Sequence, residues 1–301
     1  MKSVALPEEG GQQVNETPEQ ILDLRRLDED HFVASGTIDA GNPIGTLFGG
    51  RLVGQALLAA SIGVETMPIT SFHAYFLAGG KVGEQIDYRV TRLRDSRRFA
   101  NRQVSAFQQG QMIFTLMCEF HTPEAGFDHQ HAVMPDVPPP EEVMPIQQFV
   151  REHEGRIDLS AVRNFSGVMP IELRPVAPES YFMRRSDQPR SFWFRLPGAT
   201  MIDDARLHQC LTAYGSDYWL AGVAAVPHIF PTNGRELLIC SLDHAMWFHR
   251  PVRCDEWLLH HTTSPSAGEG LGLAQGRIFD RHGRLVATTT QECLLRRLQP
   301  V

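Results

Sequence analysis

The sequence predicts an α+β protein with two similar halves, in each of which an antiparallel sheet curls around one long helix. Three observations favour this fold class. A proline-rich stretch, MPDVPPPEEVMP (134–145), interrupts the 301-residue chain near its middle. Similar strings, SFHAYF from Ser71 and DHAMWF from Asp243, lie on either side of it. Each half also places one helical segment ahead of short apolar stretches separated by turn residues.

Each half is predicted to contain one helix. The first begins at Gly49 (GGRLVGQALLAASIGVETM), where apolar residues at helical spacing cover most of the circumference. The second runs from Asp203 (DDARLHQCLTAYGSDYWLAGVAAV), with Asp203 or Asp204 as the expected N-cap. A helix that is apolar on nearly all sides must be buried, so a sheet should wrap around it. This is the hotdog arrangement, here in tandem. An α+β domain without internal duplication is the alternative.

Three predicted strands follow the corresponding helix in each half. They are QIDYRV, RQVSAF and MIFTLMCEF in the first half, and WLLHHTT, AQGRIFD and RLVATTTQECLL in the second. The turns QQGQ (108–111) and DRHGR (280–284) occupy corresponding places, and their glycines suit tight hairpins. Aligning His73 with His244 places Phe120 on Gln291.

Composition limits the class of protein. A net charge of −7 argues against general nucleic-acid binding, which requires a basic face. The chain contains no signal-peptide segment and no apolar run of membrane-spanning length, so we expect a cytoplasmic location and no membrane partner. We predict a disordered lead over 1–20, a first hotdog domain over 21–130, a proline-rich linker over 131–165 and a second hotdog domain over 166–301.

Neither a metal nor a separate cofactor is expected. The five cysteines form no C-x-x-C pair, and no dinucleotide-binding glycine motif is present. A cluster of arginines could meet phosphate groups, although a solvated surface is the more ordinary interpretation. It consists of Arg92, Arg94, Arg97, Arg98 and Arg102.

Several stretches, in order along nearly the whole chain, resemble the type II acyl-CoA thioesterases, a double-hotdog family. They are LFGGRLVGQAL (47–57), SFHAYFLAGG (71–80), EAGFDHQ (124–130), IELRPV (171–176), LHQCLTAYGSDYWL (207–220), SLDHAMWFHRP (241–251) and VATTTQECLLR (286–296). The resemblance implies hydrolysis of fatty acyl-CoA to a fatty acid and CoA, where CoA is part of the substrate. It also implies a homo-oligomer, which we expect to be a homodimer of double hotdogs. One departure is Arg51, where the family often has Gln.

The resemblance places the family's catalytic residues on Asp217, Ser241 and Gln291. An ionised Asp217 can accept a proton from water, and the other two side chains can hold that water in position. Alone, each residue has an ordinary interpretation: a solvated helical charge, a strand hydroxyl and a surface amide. Matching Gln55 with Gln209 places Gly63 opposite Asp217, and Phe120 already stands opposite Gln291. The first half therefore lacks these polar groups.

Four further residues are candidates for binding the substrate. Gly49 and Gly50 should open the first helix, where free N–H groups can stabilise an oxyanion, although a plain tight turn is the alternative. His73 lies beside aromatic residues, as does His244, and a structural histidine is the commoner interpretation. Trp219, two residues after Asp217, is the best candidate for lining an acyl tunnel.

Three other functions have partial support in the sequence. Ser241, Asp243 and His244 together suggest a serine hydrolase, but no G-x-S-x-G motif surrounds the serine. The segment DAGNPIG (39–45) approaches the motif of hotdog enoyl-CoA hydratases, yet Gly45 stands where that motif has His. A non-catalytic acyl-CoA-binding protein is the third alternative.

Overall fold

The computed structural model describes residues 16–35, 46–153, 165, 169–182, 189–228 and 237–297. Over these residues the fold is a tandem hotdog, as the sequence predicted, but a single antiparallel sheet wraps around both central helices. The described part contains five α-helices: α1 (Pro18–Ile21), α2 (Gly49–Ser61), α3 (Ile146–Glu152), α4 (Glu179–Phe182) and α5 (Ala205–Ser216). Its 3-10 helices are Pro140–Glu142, Pro197–Met201 and Ala221–His228.

Thirteen strands are present in the described residues. Those of the first half are β1 (Arg25–Asp28), β2 (His31–Ala34), β3 (Ile69–Phe76), β4 (Ile86–Asp95), β5 (Phe99–Gln108) and β6 (Gln111–His121). Those of the second half are β7 (Glu172–Pro175), β8 (Arg190–Arg195), β9 (Leu237–Ser241), β10 (Asp243–Phe248), β11 (Leu258–Gly268), β12 (Leu271–Asp280) and β13 (Leu285–Arg297). Each of the six stretches predicted as strands lies in or overlaps one of these elements.

The two halves share one continuous sheet. Its strand order is β1-β2-β4-β5-β6-β3-β10-β13-β12-β11-β8-β7, with β9 pairing to β13. The order reads similarly from both ends and meets at the antiparallel pair β3–β10, where Ala74 lies opposite His244. The inner edge of each half is therefore satisfied within the chain, and β1 and β7 are left as the outer edges.

Helices α2 and α5 are the buried centre of the fold. Eleven of the thirteen residues of α2 and nine of the twelve of α5 are buried, as expected for helices enclosed by a sheet. They pack against each other in antiparallel orientation through glycines. A Cβ atom at Gly50 would lie 2.4 Å from the backbone oxygen of Tyr214, and one at Gly54 would lie 3.2 Å from that of Cys210. The start of α2 therefore touches the end of α5.

The second helix is shorter than predicted. The sequence suggested one helix from Asp203 to the Ala-Val pair at 225–226, but α5 ends at Ser216 and a separate 3-10 helix begins at Ala221. Trp219 adopts a φ of +58° between them, a left-handed backbone conformation that an α-helix cannot contain. The N-cap prediction holds for Asp204, whose side chain accepts a hydrogen bond from the N–H of Arg206. Asp217 is consequently the C-cap residue of α5 instead of lying within a helix.

Two of the predicted connecting segments are more ordered than expected. Residues 1–15 of the predicted lead lie outside the described residues, but the prediction of disorder does not hold for 16–20, because α1 carries a capping box at Thr17. The proline-rich stretch runs without regular structure to Pro139, and α3 then buries Phe149 and Val150 in the core. The domain boundaries themselves stay predictions. Among the described residues, no helix is long and apolar enough to cross a membrane.

Candidate active site

Asp217 lies at the point where the two halves meet. It follows the last residue of α5, and only about 5% of its side chain is exposed. Gly49, the first residue of α2, is so close that an added Cβ atom would lie 2.8 Å from the Oδ2 atom of Asp217. Antiparallel packing of the helices therefore brings together a carboxylate from the second half and a helix N-terminus from the first.

Gln291 holds the Asp217 carboxylate in place. It lies on the inner face of β13 and is fully buried, and its Nε2 atom donates a hydrogen bond of 2.7 Å to Asp217 Oδ1. The Oε1 atom of the same amide is also buried, and within the described residues it has no hydrogen-bond partner. Because buried polar atoms nearly always have a partner, this oxygen is suited to accept from a water or a ligand.

Ser241 shares the inner face of the sheet with Gln291. It lies directly opposite Cys293, which is two residues beyond Gln291 on β13, and side chains two positions apart on a strand share a face. Thr290 and Cys293 are three positions apart, but their partners Ala245 and Ser241 are four apart, so a β-bulge precedes β10. Ser241 is half-buried, and its hydroxyl makes no hydrogen bond to Asp217 or Gln291 in the described structure.

The N-terminus of α2 has no side-chain cap. Phe48 occupies the N-cap position, and its side chain cannot accept a hydrogen bond from the first N–H groups of the helix. Those N–H groups and the positive end of the helix dipole stabilise negative charge nearby. At Gly49 they lie beside the Asp217 carboxylate.

His244 is a further polar side chain beside Asp217. It is fully buried on β10, its Nε2 atom lies 3.0 Å from Ser216 Oγ, and its Nδ1 atom lies 4.0 Å from Asp217 Oδ1. Burial lowers the pKa of this imidazole, although the charges of Asp217 and Asp243 act in the opposite direction. Sequence analysis did not single out Ser216; its only signal was its position next to Asp217.

The geometry does not support a serine-hydrolase triad. Asp243 and His244 are neighbours on β10 and point to opposite faces of the sheet. The Oδ1 atom of Asp243 accepts a hydrogen bond from the backbone N–H of Glu292, and His244 contacts Ser216 instead of Ser241. The three adjacent residue types therefore do not form a relay.

His73 lies outside this group, and its predicted role in substrate binding stays a prediction. It is exposed, and its ring packs edge-on against Trp247 at a centroid distance of 5.2 Å. His244 pairs with Ala74, and His73 with Ala245, so the two histidines project from opposite faces of the sheet. The alignment of SFHAYF with DHAMWF therefore matched residue types but equated two histidines that lie on opposite faces of the sheet.

Trp219 packs into an aromatic cluster of the second half. Its ring contacts those of Phe165, Tyr181 and Phe192 at centroid distances between 4.8 and 5.1 Å. The cluster begins two residues after Asp217, and its role as an acyl-tunnel wall stays a prediction.

The arginine cluster lies away from this site, on β4 and β5 and the turn between them. Arg92 pairs with Glu29 and Asp30, Arg98 with Glu124, and Arg102 with Asp95. Arg92 and Arg98 are partly or largely exposed and fit the solvated-surface interpretation, whereas Arg102 is almost completely buried. Among the described residues, no group of three or more His, Cys, Asp or Glu side chains could hold a metal ion.

Comparisons with known proteins give similarities over most of the chain. A family model described as acyl-CoA thioesterase matches residues 165–294, and one described as acyl-CoA thioesterase N-terminal domain matches 38–121. The chain is 37% identical to human acyl-coenzyme A thioesterase 8 over 285 residues, covering 92% of this chain and 88% of that protein.

Two solved structures share the architecture. An acyl-CoA thioesterase II from Mycobacterium marinum is 34% identical, with a TM-score of 0.74 over 94% of this chain and 99% of that one. A hot dog fold protein from Alicyclobacillus acidocaldarius is only 20% identical, with a TM-score of 0.74 over 94% of this chain and 98% of that one, and it supports the fold alone.

Proposed function

The chain belongs to the acyl-CoA thioesterase family, and on that premise we propose that it hydrolyses fatty acyl-CoA by direct attack of a water activated by Asp217. Ser241 and Gln291 orient this water, and the start of α2 stabilises the oxyanion. The proposal is carried by one observation: the 2.7 Å hydrogen bond that fixes Asp217 Oδ1 to Gln291, beside Gly49 of the other half.

Asp217 is suited to act as the general base. Its carboxylate is almost completely buried and lies beside the uncapped N-terminus of α2, within reach of a proton of an incoming water. Gln291 donates to one carboxylate oxygen and thereby fixes the plane of the group. A base held in this way can meet a water molecule without losing further side-chain freedom.

Ser241 and Gln291 orient the water in different ways. Gln291 acts through the Asp217 carboxylate, which its Nε2 atom fixes, and its buried Oε1 atom, which accepts from no described residue, is available to a further donor. Ser241 shares its face of the sheet, and its hydroxyl can both donate and accept. The water thus has more than one partner and a defined direction.

The proposed reaction forms no covalent bond between the enzyme and the acyl group. The water oxygen bonds to the thioester carbon as one proton passes to Asp217, and the carbonyl electron pair moves to its oxygen. The N–H groups at Gly49 and Gly50 stabilise that oxyanion. When the carbon–sulfur bond breaks, its electron pair leaves with sulfur, which takes the proton from Asp217 to give free CoA thiol.

Family membership favours hydrolysis over the alternatives. The segment 39–45, on which the hydratase interpretation rested, lies outside the described residues. A protein that only bound acyl-CoA would have no need for a fixed carboxylate beside an uncapped helix. No metal or cofactor enters the proposed reaction.

The direct test measures the release of CoA thiol from acyl-CoA substrates of several chain lengths. We expect turnover that is unchanged by EDTA, and no acyl adduct on Ser241 in mass spectra taken during turnover. A Ser241 adduct, or activity that is lost with EDTA and restored by zinc, would overturn the water-attack mechanism.

We also propose a homodimer of double hotdogs, on the basis of the family resemblance and the two outer strand edges. Light scattering at micromolar concentration should give twice the 33.8 kDa chain mass. A mass near 33.8 kDa would exclude the dimer.

A further inference from the structure

The Ser216 hydroxyl determines which nitrogen of His244 carries the proton. Ser216 Oγ donates its single hydrogen to the backbone oxygen of Ala213 at 2.8 Å, so only its lone pairs remain for His244. The His244 Nε2 atom, 3.0 Å away, must therefore be the donor in that contact. In a neutral imidazole the Nδ1 atom is then an acceptor without a hydrogen.

The surroundings of His244 favour the neutral ring. The ring is fully buried and stacks on Phe72 of β3 at a centroid distance of 5.5 Å. The titratable groups around it are Asp217 after α5, Asp243 on its own strand and His260 on β11. Burial lowers the pKa of His260 to about 3, so that neighbour is neutral as well. Burial outweighs the two carboxylates and lowers the pKa of His244 too.

Two acceptors consequently face each other inside the site. His244 Nδ1 and Asp217 Oδ1 are 4.0 Å apart, and neither has a hydrogen to donate to the other. Within the described residues, Nδ1 has no hydrogen-bond partner. A water that donates hydrogen bonds of ordinary length to two acceptors separates them by about 4 to 4.5 Å. The observed separation matches the span of one water molecule.

We propose that His244 Nδ1 and Asp217 Oδ1 accept the two hydrogens of the attacking water, an inference that rests on the proposed function. With both hydrogens held, the lone pairs of the water are directed away from the two acceptors and toward the thioester carbon. One hydrogen passes to Asp217 and then to sulfur. The other remains on the new carboxylic acid, hydrogen-bonded to His244, and leaves through Nδ1 when the acid ionises.

Ser216 has a different role from His244 in this arrangement. It does not touch the water; it is a positioning residue that holds the tautomer of His244. Removing its hydroxyl should allow Nδ1 to become protonated, which would turn an acceptor into a donor that repels an incoming water hydrogen. Substitutions of Ser216 and His244 should therefore lower turnover through the same feature, the hydrogen-bond acceptor at Nδ1, and their effects should be non-additive.

A matched pair of substitutions separates the two nitrogens. His244→Asn retains a polar atom near the Nδ1 position, whereas His244→Gln reaches the Nε2 position and its contact with Ser216. We expect kcat to fall about tenfold or more in His244→Gln and less in His244→Asn, while KM changes little. Nitrogen-15 NMR of the wild-type enzyme should show His244 protonated at Nε2 and unprotonated at Nδ1, and Ser216→Ala should lose this preference.

The outcomes distinguish this inference from the function on which it rests. Loss of turnover in Asp217→Asn, together with kcat within twofold of wild type in a folded His244→Gln, would remove His244 alone. Unchanged turnover in Asp217→Asn would instead remove the proposed function. If His244→Gln does not fold, the wild-type NMR spectrum decides: a proton on Nδ1 overturns the inference, and its absence supports it.

Discussion

The antiparallel pair of central helices has two ends, and they differ sharply in how their polar groups are satisfied. At one end, the start of α2 meets the end of α5, and at the other, the start of α5 meets the end of α2. The first end has Gly49 beside Asp217. The second has Asp204 capping α5, with Arg206 bound to the Asp204 carboxylate and donating to the backbone oxygen of Ser61 at 3.4 Å.

The second end is internally closed. The cap satisfies an N–H group of α5, the ion pair satisfies the cap, and the guanidinium reaches a carbonyl at the end of α2. Gly63, the sequence match of Asp217, is exposed with a φ of +88°, and Phe120, the match of Gln291, is a buried core ring. Water has no buried acceptor to bind among these groups.

The first end leaves acceptors unmatched. Gln291 Oε1 and His244 Nδ1 are buried and lack partners in the described structure, next to a helix start without a side-chain cap. Duplication of a fold therefore does not duplicate its chemistry. The stable arrangement pairs its polar groups within the chain, whereas a reactive arrangement keeps some of them available for water and substrate.

The largest change in kcat is expected when the carboxylate at one end of the helix pair is substituted, and the carboxylate at the other end provides the control. Asp217→Asn removes the proton acceptor while keeping its shape, so kcat should fall by about 10² or more with little change in substrate binding. Asp204→Asn should leave kcat unchanged, because Asn also caps helices. Both kcat and the thermal midpoint should be measured for each variant.

The control has its own pH signature. Hydrogen bonding from Arg206 lowers the pKa of Asp204, so its stabilising effect is present above the ordinary carboxyl range and lost as pH falls through the lowered pKa. Asp204→Asn should therefore reduce the difference in thermal midpoint between neutral and acid pH. If Asp217→Asn folds and keeps a kcat near that of the wild type, the proposal that only the Asp217 end of the helix pair is catalytic is wrong.

The next test compares two buried glutamines. Gln291→Ala should lower kcat about tenfold, because Asp217 loses the donor that fixes it, and it should be non-additive with Asp217→Asn. Gln209 instead bonds both backbone groups of Ile69, at 3.0 and 2.8 Å. Gln209→Ala should cost about 1–3 kcal/mol of unfolding free energy and leave kcat unchanged. Kinetics and denaturant unfolding of both variants provide the check.

Ser241→Ala should have a smaller effect on kcat than Gln291→Ala, because Ser241 is half-buried and water can replace its hydroxyl. A larger effect of Ser241→Ala than of Asp217→Asn would contradict the assignment of roles.

Sequence patterns predicted the helices and strands well, because a buried helix needs apolar residues at every turn. The start of α2 at Gly49, and an N-cap of α5 at either Asp203 or Asp204, could be identified from local residues alone. The contact between Gly49 and Asp217 could not, since it depends on how two helices cross through Gly50 and Gly54. The role of Ser216 was also hidden, because a helical serine usually bonds only a preceding carbonyl. The face from which His73 projects was not predictable either, because a match of residue types contains no information about sheet faces.

Glycines at the two ends should tolerate substitution differently. A Cβ atom at Gly49 would crowd both the Asp217 carboxylate and the Phe76 ring at 2.8 Å, so Gly49→Ala should lower kcat about fivefold or more by displacing the base. Gly63 has no atom within 4 Å of an added Cβ, but its φ of +88° disfavours side chains. Gly63→Ala should therefore cost about 1 kcal/mol in stability without changing kcat. Gly63→Asn should be milder, and reduced turnover in either Gly63 variant would contradict the comparison.

The smallest expected effect on turnover belongs to Arg51, one residue beyond the Gly49-Gly50 pair. Its guanidinium is fully buried, contacts both carboxylate oxygens of Glu16 at 2.6 Å, and donates to the backbone oxygens of Gln20 and Ile21 at 3.3 and 3.4 Å. These contacts fasten α1 to the outer side of α2 and do not include Asp217. Arg51→Gln, which introduces the residue common in the family, should therefore change kcat by no more than about twofold.

Stability should respond instead, because breaking a buried ion pair from one side leaves Glu16 without its cation and costs about 3 kcal/mol or more. Glu16→Gln is the matched control, and the two substitutions together should cost less than their sum, since they remove one interaction. Denaturant unfolding and kcat for the two single variants and the double variant complete the cycle. A tenfold loss of kcat in Arg51→Gln at unchanged stability would mean that α1 helps to position the start of α2 for catalysis.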